Sequence, residues 1–224
     1  MAFTSKNGTV DPVEKIDYSD FNTPLLNGYP DNESQEYFLK EVAGRMNTLI
    51  QSGDSLIDYG CGTGELSNYF ADDVQYYGID GIPFKINMAN EINAAPHRTF
   101  ANRLWTNSAF GTYVDPNTKS TWGICVNGLT VASEIEGDPL HALEVCIETM
   151  LRCSEKGIFI LAPLSDTTES YIDSGSKVRY SGRDVISVAH AAYSKLYNNT
   201  AFHHMSYEGI NDGEVFILFI QKQI

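Results

Sequence analysis

Residues 55–65, Ser55-Leu56-Ile57-Asp58-Tyr59-Gly60-Cys61-Gly62-Thr63-Gly64-Glu65, decide how this chain is read. Ser55 to Tyr59 is a short strand-like run ending beside an acid, and three glycines at alternate positions follow it. Glycines so spaced permit a tight turn and let a ligand lie against backbone where a side chain would intrude. Glu65 to Phe70 then reads as helix. Strand, glycine loop and helix in that order describe a cofactor-binding unit. The dinucleotide fingerprint Gly-x-Gly-x-x-Gly fails, because Glu65 stands where the count from Gly60 needs glycine and Ser67 where the count from Gly62 does. An acid at position 58 would also oppose a pyrophosphate, so a nicotinamide oxidoreductase is disfavoured. Asp58 suits a ligand that carries positive charge.

Beyond this stretch, Tyr76 to Ile79 reads as a second strand that ends on Asp80, 22 residues after Asp58, followed by Gly81. A carboxylate at that strand end can accept both vicinal hydroxyls of a ribose. Charge-assisted hydrogen bonds of this kind are worth about 1.5–3 kcal/mol. Upstream, Tyr37, Phe38, Val42, Met46 and Ile50 recur at helical spacing, giving a helix over 33–51 with Gly53 as its stop. Downstream come a helix over Pro83 to Ile92, a weak strand near Thr99 to Leu104 and a strand over Trp122 to Val126. Asp138 and Pro139 open a further helix that runs toward Gly157, and Ile158 to Leu161 is a buried-strand run. A polar loop, Pro163 to Tyr180, precedes a helix that starts at a capping-box pattern, Ser181 to Asp184. Ala201 to Tyr207 and Val215 to Gln221 read as an antiparallel hairpin. The expected architecture is α/β: a Rossmann-like doubly wound sheet, mostly parallel, closed by a C-terminal antiparallel hairpin. Residues 1–32 are polar and turn-rich and read as an N-terminal arm or lid on a single domain over 33–224.

Composition narrows the function. The chain has 224 residues with 42% hydrophobic and 12% aromatic content, which excludes a disordered protein. Its 15 Lys and Arg against 29 Asp and Glu give a net charge of −14, so nucleic acid is not an expected partner. The longest apolar runs, such as the six residues Val215 to Ile220, are far too short to span a bilayer, and no secretory signal is visible, so a cytoplasmic location is expected by default. Cys61, Cys125, Cys146 and Cys153 form no Cys-x-x-Cys pair and read as small packed residues, and no metal site is expected. His203 and His204 point to opposite faces of a strand and cannot comfortably chelate one ion.

The stretch Leu56 to Glu65, the run Gly78-Ile79-Asp80-Gly81-Ile82-Pro83, and Asp138 to Leu161 together resemble the class I S-adenosylmethionine-dependent methyltransferases over about residues 33–161, and the terminal hairpin fits their last strands. The resemblance implies S-adenosyl-L-methionine as cofactor. It places Gly60, Gly62 and Gly64, with the adjoining Tyr59 and Cys61, against the methionine and ribose portions, Asp58 near the methionine amine, and Asp80 with Gly81 at the ribose. It also implies that Asn127, Gly128 and Leu129, after the fourth strand, flank the methionine portion and the acceptor. The chain departs from the family over 100–118, where no acid for the adenine is evident and Asn102 or Asn107 stands in its place.

Such enzymes align an acceptor with an already activated methyl group, so no general base is obligatory and none is assigned. Asn127-Gly-Leu-Thr130 does not resemble the Asn/Asp-Pro-Pro-Tyr loop of amino-methylating DNA enzymes, and no proline precedes a cysteine as in the cytosine-carbon enzymes. A small-molecule acceptor is therefore expected, covered by the arm and the 163–181 loop, with Tyr29, Tyr171, Arg179 and Tyr180 as lining candidates beside Leu129. The competing expectation is a methyltransferase-like protein that binds the cofactor or its product without turnover. The sequence leaves oligomeric state open.

Overall fold

The computed structural model describes residues 29, 31–103, 118–129, 138–167, 169–172, 178–198, 204–210 and 215–222. The expected arm over 1–32, apart from Tyr29, Asp31 and Asn32, lies outside the described residues, as do Asn107 and the start of the expected strand at Ala201. The elements in chain order are α1 (Asn32–Asn47), β1 (Ser55–Tyr59), a 3-10 turn (Glu65–Tyr69), β2 (Gln75–Asp80), α2 (Pro83–Ile92), β3 (Arg98–Asn102), β4 (Ser120–Val126), α3 (Pro139–Cys153), β5 (Ser154–Pro163), β6 (Tyr171–Ile172), β7 (Val178–Arg179), α4 (Gly182–Tyr197), β8 (His204–Ile210) and β9 (Val215–Gln221).

Seven strands form one sheet in the order β3-β2-β1-β4-β5-β9-β8. The first five are parallel, while β9 runs antiparallel to β5 and β8 antiparallel to β9. This is the expected doubly wound sheet with its terminal hairpin. The chain order reverses direction between β1 and β4, so the carboxyl ends of those strands form the switch-point crevice where such sheets bind ligands.

Alternation along each strand divides the core. Ile57, Cys125, Ile158, Ile160, Phe216 and Leu218 face α3 and α4, whereas Leu56, Ile124, Phe159, Leu161 and Ile217 face the layer that contains α1 and α2. Because both faces are covered, β4 and β5 are near-continuous apolar runs. In α1 the buried positions Gln35, Phe38, Leu39, Val42, Ala43 and Met46 lie on one helical face, and Asp31 caps its start by accepting from the Ser34 amide at 2.7 Å. The cap of α3 is Asp138, and that of α4 is Ser181.

Several boundaries differ from expectation. The helix expected over Glu65 to Phe70 is only a 3-10 turn, because Gly64 enters it at φ 86° without a side-chain cap and Phe70 leaves it in extended conformation to pack near Tyr76. The first helix ends at Asn47 rather than 51, where Thr48 turns its amide back onto Arg45 and Met46. The third helix stops at Cys153, and Ser154 both bonds the Met150 carbonyl through its hydroxyl, at 2.6 Å, and begins β5. The loop expected over Pro163 to Tyr180 carries the small β6-β7 ladder and a bridge between Leu164 and Tyr180.

Candidate cofactor and acceptor site

The glycine loop is fixed by its own backbone. The amides of Gly60 and Cys61 both donate to the Ile79 carbonyl, at 2.8 and 2.9 Å, and the Gly64 amide returns to Cys61 at 2.9 Å. Gly60, Gly62 and Gly64 have φ of 80°, 58° and 86°, a region that residues with a Cβ adopt at a cost. At Gly64 a second constraint applies, since a Cβ there would stand 2.6 Å from the ring of Phe100. Asn93, at the end of α2, supports the loop from behind by donating its side-chain amide to the Thr63 carbonyl at 2.7 Å.

Asp80 closes the loop from β2. One of its oxygens accepts from the Gly62 amide at 3.0 Å and the other from the Ile82 amide at 2.8 Å. A carboxylate has about four lone-pair sites, so each oxygen retains capacity for a ribose hydroxyl. Burial raises the Asp80 carboxyl above its ordinary range, opposed by the charge of Lys85 and by the two amides. Asn102, paired with Asp80 across β2 and β3, donates its side-chain amide to the Asp80 carbonyl at 2.9 Å. Gly81 is half-buried directly after Asp80.

Asp58 lies at the carboxyl end of β1 and is 2% exposed. One oxygen accepts the hydroxyl of Tyr76, while Oδ1 has no hydrogen-bond partner. Burial pushes its carboxyl up to about 7; the Tyr76 bond opposes the shift and the charge of Asp80 adds to it. Burial likewise raises the Cys61 thiol, reinforced by Asp58, Asp80 and Glu65. Cys61 is therefore a packed neutral thiol rather than a nucleophile.

Asn127 follows β4 in the left-handed region at φ 56°, with its amide tied to the Leu161 carbonyl at 2.9 Å. Gly128 brings that turn against the glycine loop, because a Cβ on it would sit 2.6 Å from the Tyr59 carbonyl oxygen. Tyr29, 4% exposed, hydrogen-bonds the Asn127 side chain, stacks on Phe38 at 6.0 Å between ring centroids, and has its hydroxyl pKa raised by burial and by Asp58. Thus Tyr29, Asp58 and Asn127 meet at one end of the crevice, and Asp80 and Asn102 at the other.

Other candidates are placed apart from this group. The Tyr59 side chain is fully buried on the α3 face, where its hydroxyl pKa rises through burial and the neighbouring Cys153, Cys146 and Cys125; only its backbone borders the crevice. Leu129 is fully buried in the same core. Tyr180 is not a loop-surface residue: it is fully buried, edge-on to Phe216 at 6.3 Å. Arg179, between buried Val178 and Tyr180 on β7, faces away from that core and donates to the Leu164 carbonyl at 3.4 Å. Tyr171 lies in β6 beside it. Sequence reasoning missed Tyr76, Phe100, Asn93 and Lys85. Tyr76 and Phe100 become visible only through strand register, which places Gly78 opposite Asp58 and Phe100 opposite Gly78. Among the described residues, no group of three His, Cys, Asp or Glu is placed to hold a metal, and no helix is long and apolar enough to cross a membrane.

No protein-family profile matches the chain, and no curated protein matches its sequence. Solved structures do match its fold. Magnesium protoporphyrin IX methyltransferase from Synechocystis PCC 6803, crystallised with bound S-adenosylmethionine, aligns with a TM-score of 0.59 at 14% identity over 84% of this chain and 80% of that one. The 1,6-didemethyltoxoflavin-N1-methyltransferase of Burkholderia thailandensis aligns at 0.62 and 11% identity over 87% and 82%. The [4+2]-cyclase SpnF aligns at 0.61 and 14% over 88% and 85%. The chain has the class I S-adenosylmethionine-dependent methyltransferase fold. At these identities the likeness is one of fold, and chemistry must be argued from the site.

Proposed function

We propose that this protein is an S-adenosylmethionine-dependent methyltransferase acting on a small molecule. The observation that carries the reading is the pair of buried acids, Asp58 and Asp80, on either side of a glycine loop at the carboxyl ends of adjacent strands, with one oxygen of Asp58 unpartnered. A nucleoside bearing a cationic amino-acid tail satisfies both: Asp80 accepts ribose hydroxyls, and Asp58 accepts an ammonium. The left-handed backbone at Gly60 and Gly62 lets the loop approach a ligand without a side chain between, while Gly64 packs against Phe100, and Asn102, bonded to the Asp80 carbonyl, would border the adenine. When bound, S-adenosylmethionine supplies a methyl group already activated on sulfur. The chain's part is then to hold the nucleoside, to exclude water through Tyr29 stacked on Phe38, and to orient an acceptor over Asn127 and Gly128. Solved relatives in fold that bind small molecules, such as the toxoflavin-precursor enzyme, support that acceptor class, as does the net charge of −14.

A second reading is favoured by one specific finding: a [4+2]-cyclase shares the fold, so the fold also carries chemistry other than methyl transfer. The test is to incubate the protein with S-adenosylmethionine and a panel of amines, phenols, carboxylates and thiols, and to measure S-adenosylhomocysteine by mass spectrometry. Acceptor-dependent product supports methyl transfer. Cofactor binding without product on any acceptor favours the second reading.

A further inference from the structure

Among the described residues, Asp58 is a buried carboxyl with no counter-charge. The groups that face it are Tyr76 and Asp80 of β2, Tyr29 before α1, Cys61 in the glycine loop and Cys125 of β4, and Glu65 of the 3-10 turn acts on the same Tyr29, Cys61 and Tyr76. All of these are neutral or acidic at neutral pH. Lys85, the cation of this neighbourhood among the described residues, acts on Asp80 and Cys61 and does not offset Asp58. An ionised carboxylate buried without a cation is costly, and such a group keeps its proton instead. Among the described residues it accepts one hydrogen bond, from Tyr76, and Oδ1 has no partner.

We infer that the ligand-free protein holds Asp58 as the neutral acid, and that a ligand's ammonium group enters by displacing that proton, so that the site selects ammonium-bearing nucleosides and binds them with release of one proton. The exchange balances: the carboxylic acid and the ligand ammonium give a carboxylate–ammonium pair and one proton to solvent. The carboxyl's elevation to about 7 by burial agrees with this and sets the pH window, since the proton is present to be displaced below that value and absent above it. The inference rests on the cofactor reading above and adds that the site is a cation-for-proton exchanger.

The test is calorimetry at pH 6 and pH 8, each in two buffers of different ionisation enthalpy. The probes are S-adenosylhomocysteine, which carries the ammonium, and 5′-methylthioadenosine, which keeps the nucleoside and lacks it. The second probe reports any proton released at Asp80. At pH 6, S-adenosylhomocysteine should release close to one proton more than 5′-methylthioadenosine, and at pH 8 the difference should nearly vanish. Its dissociation constant should rise about tenfold from pH 8 to pH 6, while that of 5′-methylthioadenosine stays level. Asp58→Asn should abolish the excess release yet still bind 5′-methylthioadenosine, which shows that the variant is folded. Binding of S-adenosylhomocysteine at pH 6 without excess proton release overturns this inference and leaves the cofactor reading intact. Failure of both nucleosides to bind overturns both.

Discussion

Asp80 joins two tasks in one side chain, since the oxygens that would hold a ribose already fix the amides of Gly62 and Ile82. Replacing Asp80 by alanine removes both, and S-adenosylhomocysteine binding should weaken by about 10- to 100-fold, read by calorimetry, while the protein stays folded. An unchanged dissociation constant would contradict the ribose assignment. Gly64 is constrained more severely. Alanine there meets both an unfavourable φ of 86° and the Phe100 ring 2.6 Å away, so Gly64→Ala should cost about 2–4 kcal/mol in urea unfolding. Recovery of that loss in the double variant with Phe100→Leu would separate the steric part from the conformational part. Asp58, Asp80 and the glycines were legible in the sequence because each sits at a fixed offset from a strand end, where chemistry and backbone geometry coincide. Phe100 was not, because its role depends on which residues of β3 lie beside Gly78 and Gly64 in space. Tyr180 reads as a polar-loop residue by its neighbours, yet the ladder β6-β7 and the Leu164 bridge turn it into the core.

The elements were legible wherever a cap or a strict period marked them. Asp138 with Pro139 opens α3 as expected, and its carboxylate accepts from the Leu140 amide at 2.9 Å. Asp138→Ala should therefore lower stability by about 1 kcal/mol, with a comparable loss for Ser181→Ala at the start of α4. Losses below the error of the measurement would show that tertiary packing alone sets these helix ends. By contrast, the ion pair that ties α1 to β8, Arg45 to Glu208 at 2.7 Å, is between half-exposed side chains, and Glu208→Gln should change stability by less than about 1 kcal/mol. The turn after the glycine loop was misread as a full helix because Leu66, Tyr69 and Phe70 have helical spacing. Phe70 ends it in extended backbone, buried beside its aromatic neighbour Tyr76, a tertiary contact with no local signature.

Across the whole molecule, the acid proposed to meet a cationic ligand works against the fold when it is ionised. The Asp58 carboxyl titrates near 7 in the folded protein and near 3.8 when exposed, so the folded state holds the proton more tightly. Its contribution to stability is fully present below the lower value and is lost as pH rises through the upper one. Asp58→Asn should consequently raise the melting temperature at pH 8 relative to the parent and flatten its decline between pH 4 and pH 7. A variant less stable than the parent at pH 8 would mean that Asp58 is matched by a charge its surroundings do not reveal. A stabilising substitution at a binding residue is the signature of a site whose requirements conflict with those of the core. The mostly parallel, doubly wound sheet with its antiparallel hairpin was readable from the alternation of strands and helices, because parallel connections leave few topologies open, whereas the strand order came only with the structure. The acceptor was not, because a reaction that depends on alignment imposes no fixed residue type on the groups that align it.

The glycine loop between Asp58 and Asp80 is proposed to bind S-adenosylmethionine and its product. Direct titration calorimetry of the purified protein with S-adenosylhomocysteine, with NAD as the control, tests it most directly. Micromolar binding of the former and none of the latter is the predicted result. Binding of NAD alone, or of neither by a folded protein, would contradict it.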